Sequence, residues 1–549
     1  MRSPTRYRGR AVRTARNPDL GEALEALGAE ELRSFIQEAL DGLDDGPRGH
    51  LEDTLLRRAA SIGGGWRPAA PPRKVIDDVR SFVVAALRVA QAEPSEFDTY
   101  LRQGVTASLA ADHESARAIF EALLPPIANA NIYLGQDEMV DEVLSADVND
   151  CVARYLAAVY LTTPPEERAE TFFEAIEKTS GLAYFLDPLQ AIEGVLGKMP
   201  SDVEEFLSPW IARLEREERP AGDWESEQDR WLREAIRRRD GIAGLERIAR
   251  STKMPEALRA WCDAVVAAGD WGRALVVYEE AAGLVPSAVW RGDFLDGAAL
   301  AAQVLERRDA TEKLGVAWMR APSLLRLLRW LLAGKPSAAT LRKRARTALE
   351  VSPTKSPRLL GLLHVVLGDV PAAAAILQKA PGLGWSSGDH PGHLLFPAFA
   401  WMLGGAPAGS AHERVAQVLR STARELGDFD DAGAEDAGSA KAATPRLSRP
   451  SVMDALERAE VTKKLTAADR ASALAAMKAA ATKRTDGVLE NKRRRHYAHA
   501  ALLVACCVEL EGATKSPGGS AWAASIRTGT QRFPAFQHEL SSALEQVRR

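Results

Sequence analysis

Apolar residues recur at three- and four-residue spacing along most of this chain, and that period predicts helices almost throughout. Leu20, Leu24 and Leu27 precede a Gly28 turn, and Leu32, Phe35, Ile36, Ala39 and Leu40 follow it, which predicts a small N-terminal helical module over 19–65. The run Gly63-Gly64-Gly65-Trp66-Arg67-Pro68-Ala69-Ala70-Pro71-Pro72 breaks any helix and reads as a hinge. From 74 to 426, helical stretches alternate with Gly, Pro or Asp turns, and no series of strands interrupts them. Asp428, Asp430, Asp431, Glu435 and Asp436, set among Gly, Ala, Ser and Pro, give 427–450 the composition of a flexible acidic linker. A last helical domain is expected over 451–549. The fold class that follows is all-α.

One short pattern returns three times. Ala111-Asp112-His113-Glu114-Ser115-Ala116 leads to Phe120, Gly269-Asp270-Trp271-Gly272-Arg273-Ala274 leads to Tyr278, and Gly368-Asp369-Val370-Pro371-Ala372-Ala373 leads to Leu377. Each copy places a turn before a helix in which a small residue is followed four positions later by a large apolar one. In the best copy, Leu258, Trp261 and Val265 supply the buried face of a first helix, Gly269 ends it and Asp270 caps the second. Ala274 and Ala281 permit close approach, Tyr278 fills the space between hairpins, and Pro286 stops the helix. Trp261, Ala274, Tyr278, Ala281 and Pro286 together resemble the second half, and part of the first half, of a tetratricopeptide repeat, with Cys262 where the usual glycine would stand. The resemblance implies an irregular α-solenoid of helical hairpins over 74–426 with a linked C-terminal helical domain, an architecture that presents long binding surfaces.

The end of the chain carries a second likeness. Arg493-Arg494-Arg495-His496-Tyr497-Ala498-His499, followed by Trp522, Ile526, Arg532-Phe533-Pro534-Ala535-Phe536 and Glu539-Leu540, looks like the helical tail of bacterial proteins that carry a SWIM zinc finger. The Cys-x-Cys and Cys-x-His pairs of that finger are absent, so its zinc and nucleic-acid functions do not transfer.

Composition narrows the class further. Hydrophobic residues make up 46% of the 549, but aromatics only 6%, which favours closely approaching alanine-rich helices. Four scattered cysteines, Cys151, Cys262, Cys506 and Cys507, suit neither a disulfide framework nor a four-cysteine zinc site. With no membrane-length apolar run and no apolar leader near the start, a cytoplasmic protein without membrane contact is expected. The net charge of −4 is unevenly spread. Residues 1–18, expected to be a disordered basic arm, carry six arginines and no acid, residues 451–549 carry +6, and the intervening body carries −16.

Candidate chemistry is sparse. Asp389, His390 and His393 lie in a Gly- and Pro-interrupted stretch with Trp385, Phe396, Phe399 and Trp401, so they mark a ligand or metal loop, or a structural turn plugged by aromatics. His496 and His499 stand three apart on a predicted helix, with Arg493 to Arg495 discouraging a cation beside them. Lys492, Arg493, Arg494 and Arg495 are the candidate contacts for an anionic partner. No phosphate loop, nucleophile elbow, zincin or kinase signature is present. The expectation is a non-enzymatic scaffold or adaptor without a cofactor, holding one or more protein partners. A nucleic-acid regulator using the basic C-terminal domain, and an enzyme or metal protein centred on Asp389–His393, are the alternatives.

Overall fold

The computed structural model describes residues 25–62, 65–137, 139–217, 225–351, 355–404, 414–415, 417–418, 445–513 and 519–545. The basic arm, Gly63, Gly64 and most of the acidic linker lie outside these residues. Among the described residues there are 24 α-helices and no strand, only an isolated bridge between Gln91 and Tyr133. The fold is all-α.

Local sequence explains where helices start. Proline occupies the first turn of the helices Pro94–Leu109, Pro165–Lys178, Pro188–Leu196, Pro255–Ala267 and Pro357–Leu367, where its missing N–H removes no helical bond. The three recurrent motifs share one cap geometry. Asp112, Asp270 and Asp369 each accept the backbone N–H three residues on, with φ/ψ of −87/74°, −84/76° and −85/69°. The residue before each cap is left-handed: Ala111 at φ 62°, Gly269 at 75° and Gly368 at 83°. Ala116, Ala274 and Ala373 are fully buried, as are Phe120 and Leu377. Tyr278 is half-buried, with its ring against Gly297, where a Cβ would come within 2.4 Å of it. Trp261 and Ala281 are buried, and exposed Pro286 stands just beyond the helix Trp271–Leu284.

The chain forms two compact units, residues 1–245 and 246–549. The division falls inside the stretch expected as one array over 74–426. It falls within the helix Glu227–Thr252, which is itself two segments joined across Gly241 at φ 61°, ψ −142°. The expected N-terminal module over 19–65 makes polar contacts with the helices that follow it. Asp53 of the helix Asp45–Ser61 receives Arg102 Nε at 3.2 Å, and Arg57 reaches Asp150 at 3.3 Å, so burial and ion pairing tie 45–61 into the first unit. That unit is centred on an aromatic cluster in which Phe206 lies 5.0 Å from Tyr160 and 5.8 Å from Trp210. It also holds a groove of about 520 Å³ whose charged lining is Asp141, Asp147, Glu177 and Glu227, without Lys or Arg.

In the second unit, one hydrophobic core joins Leu362, Leu377, Phe396 and Phe399 to Leu456, Met477, Leu503 and Phe536. Helices of the C-terminal domain expected over 451–549 share this core with 318–403. Polar contacts sew the same seam, with Lys483 Nζ donating to Gln378 O at 2.6 Å and Arg342 Nη2 to Ala459 O at 2.5 Å. A solvating linker composition describes only the connection. It carries no information on whether the apolar faces on either side bury one another.

Candidate functional site

The irregular stretch from Pro381 to Pro391 meets the helix Ala467–Glu490 at unusually close range. At Gly382 a Cβ would stand 2.0 Å from Lys483 O, so only glycine permits this approach of backbone to backbone. Arg484, the next residue, donates from Nη1 to Gly382 O at 3.2 Å and is 4% exposed. The turn Arg494–His496 and the helix Tyr497–Ala513 complete the surroundings.

His390 is a structural tie. Its Nδ1 accepts the Gly392 N–H at 3.0 Å, which leaves Nε2 to carry the proton and donate to Pro381 O at 2.9 Å. Trp385, buried at 3% exposure, stands within 5.1 Å of the His390 ring, 5.5 Å of His393 and 5.3 Å of His499. Above this post lies a hollow of about 420 Å³. Its charged and titratable lining is Arg484, Arg493, Arg495, His393, His496 and His499, and Leu383, Gly384, Trp385 and Ser386 form the remainder. Among the described residues, no Asp or Glu lines it.

The two groups of candidates thus converge in part. His393, from the first group, faces His499, with ring centroids 6.3 Å apart. Asp389 and His390 do not line the hollow. From the basic run, Arg493 and Arg495 line it, while Lys492 and Arg494 are exposed and do not. Lys492 instead makes the turn that presents the others, with φ 52°. Among the described residues no three His, Cys, Asp or Glu side chains converge as a metal-ligand set.

Burial dominates the electrostatics. It pushes His393 down to about 4, with His390, Arg358 and Arg484 adding repulsion. His499 falls to about 3, again mainly by burial, with Arg484, His393 and His496 adding to it. His496 is lowered by burial and by Arg484, Arg495 and Arg493. Both imidazoles at the base are accordingly neutral near pH 7. The positive charge resides on the guanidinium groups, whose planar forks suit bidentate oxyanions. Arg493 and Arg495 form no ion pair with any described residue; the one polar contact of the Arg495 guanidinium is Nε to His496 Nε2 at 3.2 Å.

Sequence reasoning missed Arg484. The signal was present: Ala473, Met477, Ala480, Ala481 and Val488 form the buried stripe of its helix, and Arg484 occupies a position on that stripe where an apolar residue is expected. The four cysteines are all buried, and burial raises each thiol, which leaves them packing residues.

No protein-family model matches this sequence, and no curated protein matches it. Among the described residues, no helix is long and apolar enough to cross a membrane.

Proposed function

We propose that this chain is a non-enzymatic helical binding protein that captures an anionic group in the hollow between Arg484, Arg493 and Arg495. One observation carries the reading: three arginines and three histidines surround a single concavity that, among the described residues, no carboxylate lines. Like charges gather this way at a cost in repulsion, which an oxyanion relieves by accepting several charge-assisted hydrogen bonds. The tetratricopeptide-like hairpins supply the frame.

The test is titration calorimetry of the full chain with inorganic pyrophosphate at low and moderate salt. Saturable binding that weakens at least about tenfold in Arg493→Gln/Arg495→Gln supports the reading. Absence of binding, or binding indifferent to that double variant, overturns it.

A second reading keeps the adaptor role in the first unit. The groove lined by Asp141, Asp147, Glu177 and Glu227, of which Asp147 and Glu227 already face Arg57 and Arg230, includes exposed Met139 beside an apolar floor, a match for a Lys- or Arg-bearing apolar segment of a protein partner. Reversing Glu177 and Asp141 to lysine should abolish capture of a cationic amphipathic peptide. Equal capture by that variant counts against this role.

A further inference from the structure

The shape of the Arg484 hollow narrows the class of anion. Trp385, His393 and His499 form its base, and the same three side chains also bound a residual hollow of only about 10 Å³. Behind that lie Phe396, Leu502 and Leu503 of the hydrophobic core. The hollow therefore has a floor closed by packed side chains, with exposed Arg493 and Arg495 and the open side at Gly384 around it. A closed floor suits the end of a molecule, and no polymer can thread through it.

Size and charge restrict the occupant further. A volume of about 420 Å³ lies in the range of roughly 300–1,000 Å³ typical of small-molecule sites, well beyond the needs of a bare tetrahedral ion. Three guanidinium groups match a terminal phosphate, which carries about −1.5 to −2 near neutrality, better than a diester, which carries a single charge. Gly384 and Ser386 supply an uncharged wall, and at Gly384 no atom lies within 4 Å of where a Cβ would stand, so this side has room for a polar body. Trp385 is too deeply buried to offer a stacking platform of the sort single-stranded nucleic acid uses.

Resting on the reading of the hollow as an anion pocket, we infer that its ligand is a small organic phosphate monoester, a sugar phosphate or nucleoside monophosphate, seated with the phosphate inward between Arg484, Arg493 and Arg495. The ester's polar body occupies the outer part along Gly384 and Ser386. Recognition is binding only, and no bond is made or broken.

The experiment compares inorganic pyrophosphate, inorganic phosphate, ribose 5-phosphate, adenosine monophosphate, adenosine and a single-stranded oligonucleotide without terminal phosphates, each titrated into the full chain. The expected result is that one of the two monoesters binds at least about tenfold tighter than inorganic phosphate, adenosine or the oligonucleotide. In Arg493→Gln/Arg495→Gln, whose altered residues are exposed and outside the core, that preference should be lost while circular dichroism and unfolding midpoint stay unchanged. If pyrophosphate and inorganic phosphate bind but neither monoester improves on phosphate, or the oligonucleotide binds more tightly than both, the monoester inference fails and the anion pocket stands. If pyrophosphate does not bind, or binds indifferently to the double variant, the pocket reading fails and this inference with it.

Discussion

The rings of His393 and His499 lie 6.3 Å apart, one carried on the helix Gly392–Gly404 and the other on Tyr497–Ala513, with Trp385 in edge contact with both. Each is neutral because it is buried beside cationic neighbours, and that neutrality couples the packing of the second unit to pH.

The first prediction follows from this coupling. Both histidines have folded pKa values, about 4 and about 3, below the usual unfolded value of about 6.5. Between these limits the unfolded chain binds more protons, so their contribution is fully present above about pH 6.5 and is lost as pH falls toward the folded values. Each titrating group adds a slope of up to about 1.4 kcal/mol per pH unit. His499→Phe should flatten the acid limb of urea-unfolding stability by about one proton. An unchanged slope between pH 6 and 4.5 would show that His499 titrates normally.

A second prediction concerns the backbone contact that seats Arg484. Gly382→Ala forces a methyl onto Lys483 O and should destabilise by about 1–3 kcal/mol, with loss of anion binding. Gly388→Ala, where no atom lies within 4 Å of the added Cβ, should stay within about 0.5 kcal/mol of the parent. Equal urea midpoints for the two variants would mean that the close approach is absent in solution.

The shared caps give a third. Asp112→Ala, Asp270→Ala and Asp369→Ala should each cost about 0.5–2 kcal/mol, because each removes the acceptor of a first-turn N–H. Ala111→Gly should instead stabilise by about 0.4–1 kcal/mol or more, since alanine there is held at φ 62° where its two counterparts are glycine. Thermal unfolding of the four variants decides both points, and a destabilised Ala111→Gly would contradict the left-handed geometry.

The common core of the second unit yields the fourth. A protease site engineered between residues 427 and 444, once cut, should leave two fragments that co-elute under native conditions, because Leu456, Met477 and Phe536 remain buried with Leu362, Leu377 and Phe396. Separation into two folded pieces on size-exclusion chromatography would restore the notion of a tethered domain.

The helices were legible because their signals are local: a three-to-four period, prolines in first turns, and an aspartate after a left-handed residue. The cap at Asp270 was read from its six-residue motif alone, and the same motif carries the caps at Asp112 and Asp369. What the sequence concealed is which apolar faces meet. Met477 and Leu377 carry no mark that pairs them, and composition between 427 and 450 suggested independence where the flanking helices share a core. The site was hidden for the same reason. His393 and His499 each look unremarkable among their own neighbours, and only the fold sets them opposite one another, with Arg484 between the segments that bear them.

Burial of Phe396, Phe399 and Leu377 against residues near the end of the chain also has a bearing on biosynthesis. The first unit has all its contacts available once residue 245 is made, and can fold while the ribosome is still translating. The second cannot close until Leu503 and Phe536 have emerged, so for the intervening stretch of synthesis its aromatic helices face solvent or a chaperone. A nonsense mutation between Gly404 and Phe536 would strand the nascent polypeptide in that sticky state. Such truncations are expected to aggregate or be degraded rather than accumulate as a shortened scaffold.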